Sequence, residues 1–193
     1  MIAISIDPAQ LIQLREATAL TRKSLPKEMA TVINKVLKKT KLNIGRDIRK
    51  TINLKKVAAE RTIKIHKMAS ATNLTGRVGI GKEQRLGLQH FGGRQNRRGV
   101  SYKIAKNGAR QQVDGAFMGP RPGAFAPKLY GGVFKRVGAD RLPIVKLKGV
   151  SPYGAYAKNK FFIQEEQTIN ENLAKEMKRR IELNILRFQK RIK

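Results

Sequence analysis

The stretch from Gly115 to Ser151 leaves the chain the fewest folding options. It reads GAFMGPRPGAFAPKLYGGVFKRVGADRLPIVKLKGVS and holds 7 of the 17 glycines and 4 of the 7 prolines. Proline locks φ and removes a backbone donor, and glycine opens conformations closed to other residues, so no helix runs through such a segment. Between these punctuators stand short apolar runs: Phe117, Phe125, Val133-Phe134, Ile144-Val145 and Leu147. Short apolar runs bounded by Gly and Pro predict brief strands joined by tight corners. Arg136 and Arg141 flank a turn at Gly138-Ala139-Asp140.

Helical spacing frames this segment on both sides. Residues 2–6 suit a short strand. Asp7-Pro8-Ala9-Gln10 then has the composition of a helix start, with Leu11, Leu14 and Ala17 on one face. Ser24 and Pro26 open a second helix, in which Met29, Ile33 and Val36 fall at core-facing intervals. Lys35, Lys38, Lys39, Lys41, Arg46, Arg49 and Lys50 crowd its other side. Gly45 weakens this helix without ending it. Asn53 is placed to cap a short helix over Leu54–Glu60. From residue 62 the period drops to two: Ile63 and Ile65, then Leu74, Gly76, Val78 and Ile80, then Leu86, Leu88 and His90. This alternation predicts half-buried antiparallel strands. Val100–Val113 predicts a hairpin turning at Asn107-Gly108 with positive φ at both positions. Phe91–Gly99 is expected to be a mobile loop and Tyr153–Lys160 a linker. Residues 161–192 carry Ile169, Leu173, Met177, Ile181, Ile185 and Phe188 at i+3 and i+4 steps, the pattern of one long helix. The expected class is α+β: N-terminal helices, a small mostly antiparallel sheet and a long C-terminal helix. The expected organisation is one domain over 1–193, helical to residue 60, β-rich over 61–152 and helical over 161–193.

Charge sets what this body can meet. The chain has 42 basic and 13 acidic residues, for a net +29. Self-repulsion of that size opposes a compact monomer unless counter-ions or an acidic partner are present. Basic residues concentrate over 35–67 (12 against 2 acidic), 82–110 (8 against 1) and 175–193 (8 against 2). One such run is usually a solvated face. Three in one chain point to nucleic acid or an acidic protein surface, since soluble surfaces normally mix both signs. An anionic membrane is disfavoured, because the basic helices lack an aromatic insertion face. No run approaches a membrane span, and the N-terminus lacks the pattern of a signal peptide. There are no cysteines, which excludes disulfides and thiolate metal sites and fits synthesis in a reducing cytoplasm.

Chemistry-bearing patterns are weak. Gly76 to Lys82 matches GxxxxGK by spacing, but Glu83 stands where a magnesium-binding Ser or Thr belongs, and the segment looks like a strand. His66 and His90 make a poor metal pair without cysteines or paired carboxylates. Glu165 and Glu166 suit the first turn of the last helix, where acidic side chains offset the positive helix end. The Ser and Thr residues have no GxSxG setting, and no Ser-His-Asp order is defensible. No enzyme, no metal and no cofactor are expected. Arg94, Arg97 and Arg98, with Lys103, are the candidate contacts to DNA or to an acidic partner. Phe91, His90 and Tyr102 stand close enough in sequence to stack bases beside them.

Gly123-Ala124-Phe125-Ala126, then Gly132 through Gly138, then Arg141-Leu142-Pro143-Ile144 and Gly149-Val150-Ser151, resembles the signature segment of the minor tail protein Z family of tailed phages. The resemblance covers most of the chain, most strongly from about residue 29 to residue 160. Val150 departs from it, since the family pattern has proline there, and here the proline is Pro152. The resemblance implies a basic helical first half, short middle strands and a long last helix. It implies a virion protein that completes the tail at its head-proximal end and helps join head to tail, in a ring of identical subunits. The sixfold tail tube implies a ring of six. Implied partners are tail terminator, tail tube or connector proteins, and the DNA in the channel. Implied locations are the virion tail and, during assembly, the host cytoplasm. Gly123, Phe125, Gly132, Phe134, Arg136, Gly138, Arg141 and Pro143 are the signature positions, structural or interfacial. The alternative is a free basic nucleic-acid-binding protein, ribosomal-type or a packaging factor.

Overall fold

The structure, a computed structural model, describes residues 2–4, 25–82, 84–120, 131–159 and 161–192. The expected helix start at Asp7-Pro8 lies outside these residues, as do the signature positions Gly123 and Phe125. In chain order the elements are β1 (Ile2–Ile4), α1 (Leu25–Thr51), α2 (Lys56–Arg61), β2 (Ile63–Lys67) and β3 (Gly76–Ile80). A 3-10 turn (Leu88–Phe91) precedes β4 (Arg94–Gln95), β5 (Gly99–Tyr102) and β6 (Gln111–Asp114). Then come β7 (Ala116–Met118), β8 (Val133–Arg136), β9 (Ile144–Lys146), α3 (Pro152–Lys158) and α4 (Phe161–Ile192). Among the described residues the strands form three antiparallel sheets, ordered β1-β3-β2, β4-β5-β6 and β7-β8-β9. The fold is α+β, and α4 is the long C-terminal helix expected over 161–192.

The chain forms two compact units from interleaved segments. The first takes Met1–Ile44, Ile63–Ile80 and Lys160–Lys193. Its core begins on α1, where Met29, Ile33, Val36, Leu37, Thr40 and Ile44 are buried. These positions repeat at three- and four-residue intervals, so one stripe of the helix leaves water. Burying an Ile or Leu side chain contributes about 1.5–3 kcal/mol. The stripe presses on β3 at Gly76, where a Cβ would stand 3.0 Å from Leu37 Cγ and 3.3 Å from Ile33 Cγ2. Asn34 clamps the segment after β2: its amide donates to the Ala69 carbonyl at 2.9 Å and accepts from the Ala69 N–H at 2.8 Å. α4 runs antiparallel to α1, as its cross-helix pairs show. Arg180 meets Glu28 at 3.9 Å, Glu176 meets Lys35 at 2.6 Å, and Asn172 accepts from Lys39. Ile169, Leu173 and Met177 of α4 are buried in line. Glu165, one turn earlier on the same stripe, is buried too. With α4 starting at Phe161, the Glu165–Glu166 pair sits beyond the first turn, which holds no acidic residue.

The second unit takes Gly45–Thr62 and Gly81–Asn159. Its core gathers Ile48, Ile52, Phe91, Val100, Val133 and Tyr156, all nearly inaccessible. Several local expectations are corrected here. Leu86, Leu88 and His90 do not form an extended strand. Leu88 and Phe91, three apart, are both buried, which fits the three-residue repeat of a 3-10 turn, and Gly92 closes it at φ +66°. Phe91–Gly99, expected to be a mobile loop, contains that turn's end and strand β4. The β5–β6 hairpin forms, pairing Val100 with Val113, but not with a two-residue Asn-Gly turn. The backbone after α1 captures its ends instead: the Asn53 N–H donates to the Ile104 carbonyl and the Lys106 N–H to the Thr51 carbonyl. The turn becomes Ala105–Gly108, and Gly108 keeps an ordinary negative-side φ. Asn53 does not cap α2, whose N-cap is Lys55. The Asn53 amide donates to the Lys103 carbonyl at 3.2 Å. The expected linker over 153–160 is largely α3, which starts on Ser151-Pro152 and buries Pro152 and Tyr156 one turn apart.

Candidate assembly interface

Three surfaces of the second unit carry the candidate residues. The first is the signature hairpin of β8 and β9. Phe134 is buried and stacks on Phe117 across the β7–β8 pair, centroids 6.0 Å apart. Gly132 stays bare because the Phe134 ring covers it; a Cβ there would lie 2.6 Å from the ring's Cζ. The Arg136 guanidinium lies over the outer face of Phe117, 5.3 Å from its centroid. Beyond that point the chain turns, and the Val137 N–H donates to the Pro143 carbonyl at 3.1 Å. Leu142-Pro143 is a cis peptide. Gly138, Arg141 and Pro143 are exposed. Val137 and Leu142 at the tip are 66% and 67% exposed, and Val145 on β9 is 51% exposed. Gly138 has neither a positive φ nor any atom within 4 Å of a built Cβ. Among the described residues nothing requires glycine there.

The second surface is the β4–β5 turn. The Asn96 N–H donates to the Gly99 carbonyl at 2.8 Å, and the Gly99 N–H donates to the Asn96 side-chain oxygen at 2.8 Å. Arg97 and Arg98 are the two residues between these bonds, and both side chains are exposed at the tip. Arg94 is also exposed, paired through its backbone with Ser101. Lys103 is half-buried and stands apart from the tip, its N–H donating to the Phe91 carbonyl. Phe91 is fully buried and cannot stack a base. Two polar residues that sequence reasoning missed hold this region. The Gln95 amide donates to the Gly99 carbonyl at 3.1 Å and accepts from the Met118 N–H at 2.7 Å, tying β4 to β7. Arg110 donates to the Gly92 carbonyl at 2.7 Å and the Ser101 carbonyl at 3.1 Å, which makes it a brace. Gln95 stands in an uninterrupted polar run and Arg110 follows a turn segment, and neither setting carries a pattern that singles them out.

The third surface is a groove of about 1000 Å³. The segment after β9 builds one wall. The Leu147 N–H donates to the Val133 carbonyl, the Leu88 N–H to the Leu147 carbonyl, and the Gly149 N–H to the Leu86 carbonyl. Its floor includes Ile52, Leu88, Ile104, Val113 and Leu147. Its rim carries Lys82, Arg85, Lys148 and Lys158, all exposed, and no carboxylate stands among the described lining residues. Lys82 lies over the Tyr153 ring at 5.7 Å.

The remaining motifs resolve into structure. Gly76–Ile80 is β3, and the carbonyl of Lys82 accepts from the Ser151 hydroxyl at 2.9 Å, so the GxxxxGK match is a strand and turn. His66 is exposed beside a bulge in β2. His90 is half-buried in the 3-10 turn. Burial, then the nearby cations Arg61, Lys146 and Lys55, hold its pKa below the usual 6.5. No helix of the described residues is long and apolar enough to cross a membrane. No family model, curated protein or solved structure matches the chain.

Proposed function

We propose that this protein is a structural component of a phage tail. It completes the tail at the head-proximal end as a ring of identical subunits and helps join head to tail. The observation that carries the reading is the signature hairpin. Its tip offers Val137 and Leu142 to solvent, next in sequence to Arg136 and Arg141. Apolar side chains clustered on an otherwise cationic surface mark a contact that another protein completes. Such a contact needs no turnover: it buries the tip against a sibling subunit or a neighbouring tail protein. Sedimentation of the purified chain, freed of nucleic acid and in high salt, tests this. Self-association is expected, reduced in Leu142→Asp. A monomer at every concentration would sink the reading.

A second reading, a free nucleic-acid-binding protein, is favoured by the exposed Arg97–Arg98 tip. Such charge contacts phosphates without regard to sequence, and its affinity falls steeply with salt. It expects a monomer that binds duplex DNA at low salt. Lack of low-salt affinity would eliminate it.

A further inference from the structure

The groove and the first part of the last helix carry opposite charge. Residues 161–174, the first part of α4, hold three glutamates and no basic residue. The rest of the chain has 10 acidic residues (13 less 3) against 42 basic ones. This segment is therefore an acidic island in a strongly cationic protein. Its exposed face is a stripe: Ile163, Glu166, Gln167, Asn170 and Ala174 at i, i+3, i+4, i+7 and i+11, with Glu171 beside it. Ile163 is 59% exposed. Among the described residues neither Glu166 nor Glu171 makes an ion pair, whereas Glu176 further along is held by Lys35 and Arg179. The groove is the converse: concave, with an apolar floor and the four rim cations Lys82, Arg85, Lys148 and Lys158.

We propose that the acidic first part of α4 from one copy docks in the cation-rimmed groove of a second copy. The inference rests on the ring reading above and names one of its contacts. Ile163 supplies an apolar side chain for the floor, and Glu166 and Glu171 face the rim. The two surfaces are different patches of one chain, so the contact is head-to-tail. Such contacts close into rings when the rotation per subunit permits. Charge complementarity sets the register and speeds encounter, while like charges turn away any other cationic face of the same protein. Each contact is modest, and closure strengthens the set, because the last contact forms within an already linked assembly.

Charge reversal on the full-length protein tests the contact. Three proteins are compared by sedimentation at low and high salt, after nucleic acid is removed: Glu166→Lys with Glu171→Lys, Arg85→Glu with Lys148→Glu, and all four changes together. Each reversed pair is expected to weaken low-salt association about tenfold or more, as is typical when complementary charges become repulsive. The four-fold variant is expected to recover it, and so is an equimolar mixture of the two singly reversed proteins. Circular dichroism checks that each variant folds, and the neutral pair Glu166→Gln with Glu171→Gln gives a milder version of the same weakening. Self-association unaffected by either reversal would overturn this contact and leave the ring reading standing. A wild-type monomer at all concentrations would overturn both. DNA affinity lost on reversing the groove, with self-association unchanged, would assign the groove to phosphate and end the proposal.

Discussion

Two glycines show what single residues decide here. Gly76 lies under Leu37 and Ile33, so Gly76→Ala forces a methyl into filled space. Overpacking of this kind costs about 1–3 kcal/mol. A midpoint lowered by about 2–12 °C in thermal unfolding is expected, at about 2–4 °C per kcal/mol for a chain of this size. Gly138 meets nothing among the described residues, so Gly138→Ala should leave the midpoint within the roughly 0.5 kcal/mol range of neutral surface changes. Loss of assembly in that variant, with folding intact, would show that the signature glycine answers to a neighbour. Among the described residues, His90 and Glu176 contribute to the acid limb. His90 is held neutral by burial and by Arg61, Lys146 and Lys55. The unfolded chain takes up that proton first, so stability should fall as pH drops below 6.5 toward the lower folded value. His90→Gln should flatten that part of a stability-versus-pH curve. Glu176 has its pKa lowered by the hydrogen bond from Lys35, so its contribution is present above 4.5 and is lost as pH falls through the folded value. Residue identity alone announced neither effect. The burial of His90 and the Lys35–Glu176 approach arise only once distant segments meet.

Elements were legible where one periodicity ran long enough to be unambiguous. The stripe Met29, Ile33 and Val36 and the spacing from Ile169 to Met177 marked α1 and α4, and the α4 ends fell where the pattern ended. Strands β2, β3, β5, β8 and β9 followed from alternation or from short apolar runs between glycines and prolines. Short segments failed for a physical reason. Leu86, Leu88 and His90 fit a two-residue period, but Leu88 and Phe91 also fit three, and burial of Phe91 decides. Asn107-Gly108 favours a tight turn locally, yet pairing with the end of α1 overrides it. Ser151-Pro152 starts a helix directly after a glycine-rich segment that masks the signal, and Tyr156 within it is fully buried. Tyr156→Ala should cost about 3–5 kcal/mol, the range for emptying a large aromatic site. Chemical denaturation would show it as a lower midpoint with an unchanged slope.

On the scale of the whole molecule, the net charge of +29 was plain in the sequence, and the groove was not. Its lining runs from Thr51 to Asn159, a range no local pattern spans. The hairpin arginines were foreseen as a group, but only the folded turn shows Arg97 and Arg98 at the tip and Lys103 apart from them. So large a charge should make stability itself depend on ionic strength. Raising salt from low to physiological shortens the Debye length to about 8 Å and screens repulsion between exposed cations. The thermal midpoint should therefore rise with added sodium chloride; a flat response would mean that bound counter-ions already neutralise the surface. The three small sheets have one more consequence. Among the described residues their outer strands are all short, none longer than the five residues of β2, and β2 and β9 carry Lys64, Lys67 and Lys146. Charged, brief borders give a growing fibril no template. Crowded copies of this protein should clump amorphously when overheated, leaving amyloid dyes dark.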